Sequence, residues 1–145
     1  ETKEITAELL NDGGRTTEIV RHADIVSFTC LKAFAYDDRH EGKDAHDLVY
    51  CLEHYPGGLE AAHAEFSKAL EGKHSEVIKE ALDRIGVRFT DPNPDEAHLR
   101  DGPVAVARFE NGDPIDEEDD EVRNLRILRQ RQAADLIRKF LEPFT

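Results

Sequence analysis

Leu31–Leu52 reads LKAFAYDDRHEGKDAHDLVYCL, and this stretch decides the fold. Its first part continues an apolar pattern that begins at Ile25. Ile25, Phe28, Leu31 (or Lys32) and Ala35 recur three or four residues apart, the period of a helix with a buried side. Asp24 precedes the run and can cap it, which predicts a helix from Ile25 to about Asp37. Asp37–Gly42 is a polar turn. Asp44 stands where a second helix would be capped, and Asp47 then occupies the third helical position, a capping box with Asp in place of Glu. Leu48, Cys51, Leu52 and Tyr55 form the buried stripe of that helix, which runs to about His54, where Pro56-Gly57-Gly58 breaks it. Two helices joined by a short polar turn make an antiparallel pair.

Charged residues crowd the same stretch. Lys32 and Arg39 are seven residues apart, so two helical turns return them to one side. Asp44 and Asp47 are three apart, on one face of the second helix. The turn would bring Lys32 and Arg39, with Lys43, against those two acids. One reading is a salt-bridge and capping network that fixes the helical pair. The other is a cationic pocket for phosphate, in which the carboxylates orient the cations.

Working toward the C-terminus, Leu59, Ala62, Phe66 and Leu70 share a face of a third helix that ends at Gly72. His74-Ser75 opens a fourth, from Glu76 to Ile85, with Gly86 as its C-terminal cap. Val87-Arg88-Phe89 reads as extended, and Asp91–Asp95 as loop or the start of a short helical turn through Leu99. VAVARFENG alternates as a strand does, but Asp101, Pro103 and Gly112 give it helix punctuation, and a short helix is favoured. Asp113–Glu121 (DPIDEEDDE) reads as an acidic surface loop whose later acids suit the N-terminus of the final helix. That helix is expected from about Glu118 to Leu141, with Val122, Leu125, Leu128, Ala133 (or Ala134), Ile137 and Leu141 as its apolar face; Arg126, Arg129, Arg131 and Arg138 either stand in solvent, the favoured reading, or dock a partner.

On the N-terminal side, EITAELL and TTEIV flank Asn11-Asp12-Gly13-Gly14, a strong hairpin signal. A lone hairpin is marginal in water and needs a larger sheet or a helix beneath it. The expected fold is therefore mostly α: a bundle of five to seven helices over 24–145 with a short N-terminal β-hairpin over 1–23, α+β overall, in one domain of 145 residues. The chain begins at Glu1 and contains no Met, so a processed chain, or a piece of something longer, is the expectation.

Composition narrows the function classes. No apolar run approaches the ~20 residues of a membrane span, and no signal peptide pattern is present. A net charge of −13 repels nucleic acid and acidic lipid surfaces. The best basic cluster (Arg123, Arg126, Arg129, Arg131) directly follows acidic residues, so no direct nucleic-acid patch is expected. Cys30 and Cys51 both lie in apolar helical stretches. Buried free thiols in a reducing cytosol are the reading, a disulfide between them the alternative, and a cytoplasmic location follows. His46, His54 and His63 lie near Cys51 but lack the spacing of a zinc site. Cys51 with His54 as nucleophile and base has only their shared helix face in its favour.

The segment LKAFAYDDRHEGKDAHDLVYCL resembles the distal motif of nucleotidyltransferase-like proteins related to the AbiEii toxins, in which a helix of the form LKxxAxxxR leads through a turn to KDxxDL or RDxxDL. The NDGG hairpin resembles the last strands of their catalytic sheet. The resemblance covers about Ile5–Leu52. It implies the C-terminal part of a nucleotidyltransferase fold, with Lys32 and Arg39 as the family's basic pair, Asp44 and Asp47 as its Asp-x-x-Asp, and Lys43 at the variable basic position. It also implies a nucleotide ligand, a nucleoside triphosphate with Mg²⁺, and, through the toxin–antitoxin relationship, an antitoxin-like partner or self-association. The family's Gly-rich turn and metal-binding Asp-x-Asp have no counterpart here. The resemblance thus implies that these residues contribute phosphate contacts, no catalytic residue and no metal ligand, and that this chain alone is inactive. A helical interaction module with a purely structural charge cluster is the alternative.

Overall fold

The computed structural model describes residues 24–113 and 119–145. Among them are six α-helices: α1 (Ile25–Arg39), α2 (Gly42–Glu53), α3 (Gly58–Leu70), α4 (Ser75–Phe89), α5 (Asp101–Asn111) and α6 (Asp120–Leu141). Two short 3₁₀ segments, Pro94–Leu99 and Glu142–Phe144, precede α5 and follow α6. The described chain is thus mostly helical, as the periodicity predicts. The expected hairpin and most of the acidic loop fall on 1–23 and 114–118, outside the described residues.

α1 is capped by Asp24, whose Oδ1 accepts the Val26 N–H at 2.9 Å. It ends at His40, which takes the left-handed conformation (φ 57°) and closes onto the Tyr36 carbonyl. That single residue in αL, followed by Glu41, turns the chain back into α2. Asp44 is therefore not the cap of α2: Glu41 holds that position without a side-chain cap bond. Asp44 sits third in the helix and Asp47 sixth, because the turn is shorter than the six polar residues suggest.

The core joins all six helices. Phe66, Phe89 and Phe140 are its largest fully buried side chains, with Ile25, Leu48, Leu52, Ile85 and Ile137 around them. α2 packs against both α1 and α5, and α5 packs in turn against α6. Phe144, in the last 3₁₀ turn, closes an aromatic group with Phe66, Phe140 and His63.

Three further expectations are corrected. Gly86 does not end α4, and 87–89 are helical rather than extended. Ile78, Leu82, Ile85 and Phe89 continue one buried stripe, so packing carries the helix past a glycine that would favour an end. In α1 the buried line is Ile25, Val26, Thr29, Cys30, Ala33 and Tyr36, leaving Leu31 64% exposed. In α6, Val122, Leu125 and Leu128 are 46–59% exposed, while Arg126 and Gln130 are buried. Gln130 can turn inward because its amide donates to the His98 carbonyl of the Pro94–Leu99 segment. VAVARFENG is helical, with Gly112 (φ 80°) just past its end as its punctuation predicts.

Candidate functional site

The α1–α2 corner brings together all five sequence-selected residues. Lys32 leaves α1 beside the Phe28 ring, its Nζ 5.6 Å from the ring centre. It reaches Asp47 Oδ2 at 3.0 Å and Asp44 Oδ1 at 3.4 Å. Arg39, one residue before the turn, donates from Nη2 to Asp44 Oδ2 at 2.8 Å. Lys43 donates to Asp47 Oδ2 at 2.8 Å along α2. Each carboxylate thus faces two cations, and Lys32 is shared.

Burial divides the set. The Asp44 and Asp47 side chains are 4% and 9% exposed and that of Lys32 18%, whereas Arg39 and Lys43 are 58% and 61% exposed. The acids and Lys32 form the inner layer, and the other two cations form the outer one. Burial pushes the Asp47 carboxyl up, but hydrogen bonds from Lys43 and Lys32, with their charges, outweigh it and hold it below its ordinary value. Asp47 is thus held ionised at neutral pH, and three cations stand against the two acidic side chains. Arg39 uses one of its five N–H donors on Asp44, and Lys43 one of its three on Asp47. The spare donors face solvent.

The arrangement does not suit a resident divalent ion. Asp44 and Asp47 are committed to ammonium and guanidinium groups, and among the described residues no three of His, Cys, Asp and Glu gather as a metal-holding group. His46 instead bonds Glu110 at 3.0 Å, the His54 ring lies tilted against Tyr50, and His63 bonds the Phe140 carbonyl at 3.0 Å. Cys30 and Cys51 are free and buried. Burial, with the nearby Asp47 charge, pushes the Cys51 thiol up to about 12, the opposite of what a thiolate nucleophile needs.

Two further charge networks are not legible in local spacing. Arg129 of α6 grips Glu53 through Nη1 and Nη2 at 2.6 and 2.8 Å, and Glu110 through Nε and Nη2 at 2.8 and 2.9 Å. Its side chain is only 15% exposed, against the expectation that the α6 arginines stand in solvent. At the end of α1, Asp37 accepts from Arg84 and Arg88, and the Tyr36 hydroxyl donates to Asp101 at 2.8 Å. The partners lie 19 to 76 residues apart in sequence, so only acid–base stoichiometry hints at them. No described helix is long and apolar enough to cross a membrane. No known protein family, curated protein or solved structure matches the chain.

Proposed function

We propose that this chain is the C-terminal region of a nucleotidyltransferase-like protein and that its α1–α2 corner positions the phosphates of a nucleotide. One observation carries the reading. Two buried carboxylates hold three cations at a single corner, and the outer two, Arg39 and Lys43, present unused donors to solvent. A guanidinium and an ammonium held this way suit a phosphate, because their geometry is fixed before the ligand arrives. The inner Lys32 bridges both acids and sets that geometry. A nucleoside triphosphate would bring Mg²⁺ with it, coordinated by its own phosphates and by residues outside this set. The chemical step would likewise rest on groups outside this set.

The test is nucleotide binding by the full-length protein with Mg²⁺ present. Arg39→Ala and Lys43→Ala each weaken it about tenfold, the worth of a charge-assisted contact, with little change in melting temperature. Unchanged affinity in both variants refutes the phosphate role.

A second reading is a non-enzymatic interaction module whose charge cluster is purely structural. The exposed stripe of Val122, Leu125 and Leu128 favours it, since apolar residues in series on a surface helix suit a partner helix or a second copy. Under this reading Lys32→Ala lowers stability without touching ligand binding, and Leu125→Glu disrupts association.

A further inference from the structure

A separate cleft of about 380 Å³ lies between the Pro94–Leu99 turn and α6. Asn93 caps the short turn by accepting the Asp95 N–H at 3.1 Å. Buried Gln130 then pins the turn to α6 by donating to the His98 carbonyl at 2.8 Å. This fixes the His98 backbone where its side chain lines the cleft. His98 is 9% exposed, and its ring makes no hydrogen bond among the described residues. Its ring nitrogens are not sealed from solvent, so the N–H and lone pair that an imidazole presents stay open to a ligand.

The wall contributed by α6 supplies Arg131 and Gln132. Arg131 has no ion pair among the described residues, in a chain with 32 acidic and 19 basic residues. Arg39, Arg84, Arg88, Arg100, Arg129 and Arg138 each hold a carboxylate. The acids lining the cleft do not claim Arg131 either. Asp135 is taken by Arg138 at 2.7 Å and Lys139 at 2.9 Å, and Asp95 is exposed. A free guanidinium fork, a free amide and a buried imidazole thus line one cleft, with a second arginine beside them.

We infer that this cleft binds a phosphate-bearing small ligand, with Arg131 gripping the phosphate and His98 and Gln132 completing its hydrogen bonds. Phosphate offers several acceptor oxygens in the geometry a guanidinium fork matches. The cleft volume lies at the small end of ligand sites, which run ~300–1,000 Å³, so it suits a single phosphate with a sugar-sized group.

The experiment follows the His98 ring resonances of the whole chain by NMR, at constant ionic strength set with chloride. Inorganic phosphate and AMP are titrated in turn. Saturable shifts of His98 with phosphate are expected, with tighter binding of AMP if the ligand is an ester. Arg131→Gln weakens the response about tenfold and leaves the melting temperature unchanged, since Arg131 holds no partner in the fold. Arg39→Ala leaves the His98 response intact, which separates this cleft from the α1–α2 corner. No saturable shift with either probe, equal affinity in Arg131→Gln, or loss of the response in Arg39→Ala overturns the assignment.

Discussion

Lys32 Nζ lies 3.0 Å from Asp47 Oδ2, across the interface of α1 and α2. The lysine is mostly buried, yet the same ammonium also reaches Asp44 at 3.4 Å. Acidic side chains at this depth need a cationic partner. Lys32 is therefore the part of the corner on which the helical pair depends, while Arg39 and Lys43 are the part a ligand can reach.

That division makes a stability prediction. Lys32→Met keeps the stem and removes the charge, leaving each acid one outer cation. The cost is about 2 kcal/mol, below the ~3–5 kcal/mol for stranding a buried ion outright. Arg39→Ala, at a largely exposed site, costs about 0–1 kcal/mol. Chemical denaturation of both variants checks the ranking, and equal losses would contradict it.

Acid should weaken the fold through named carboxyls. Burial raises the Asp37 and Glu110 carboxyls, but Arg88 and Arg84 on the first, and Arg129 and His46 on the second, draw both below their ordinary values. Asp47 is lowered likewise. Each binds its proton less readily folded than unfolded. Their contribution is fully present above the ordinary carboxyl range near ~4 and is lost as pH falls through the lower folded values. The urea midpoint should hold from neutral pH to about 5 and then drop. Asp47→Asn should make that drop shallower, and a midpoint that climbs on acidification would rule the scheme out.

Arg129 is the largest tie contributed by α6. Arg129→Met leaves Glu53 and Glu110 facing each other without their guanidinium. A loss of about 3 kcal/mol is expected. Adding Glu53→Gln should recover part of it by removing one stranded charge. Thermal melting of the single and double variants decides, and a strictly additive further loss would show that the pair is not coupled.

Two glycines should respond in opposite directions. A Cβ on Gly86 would meet Leu141 and Thr90 at 3.8 Å, ordinary contact distance. Gly86→Ala should therefore stabilise by about 0.5–1 kcal/mol through helix propensity. On Gly102 a Cβ would fall 2.7 Å from the Arg88 carbonyl oxygen and the Phe89 ring. Gly102→Ala should destabilise by about 1–3 kcal/mol, as overpacking does. Melting temperatures moving in the same direction would refute the packing of α4 against α5.

The buried thiols should be slow to react. Burial pushes Cys30 up to about 11 and Cys51 up to about 12, so almost no thiolate exists at pH ~8. A disulfide-exchange reagent should label both only in denaturant, and rapid labelling of the folded chain would be incompatible with their burial.

Much of the fold was legible because each helix repeats a local signal. Period, turn residues and caps placed the helices within a few residues, including α5 with Asp101 before it and Gly112 after it. Misreadings arose where packing overruled a local sign. Gly86 looked like a helix end until Phe89 was found buried one turn later, and Asp44 looked like a cap until His40 tightened the turn. The stripe Val122, Leu125 and Leu128 looked like core because hydrophobicity was the only guide to which face turns inward.

By itself the sequence determined that the described residues fold mostly as helices and that Lys32, Arg39, Lys43, Asp44 and Asp47 share one corner, because seven- and three-residue spacings on adjoining helices bring them together. Only the tertiary structure decided the depth of each charge, with Lys32 inside and Arg39 and Lys43 outside. It also decided that Arg129 joins Glu53 to Glu110 and that His98 lines a cleft without a partner. Those outcomes depend on contacts between residues distant along the chain, where burial, rather than spacing, sets the strength of a charge.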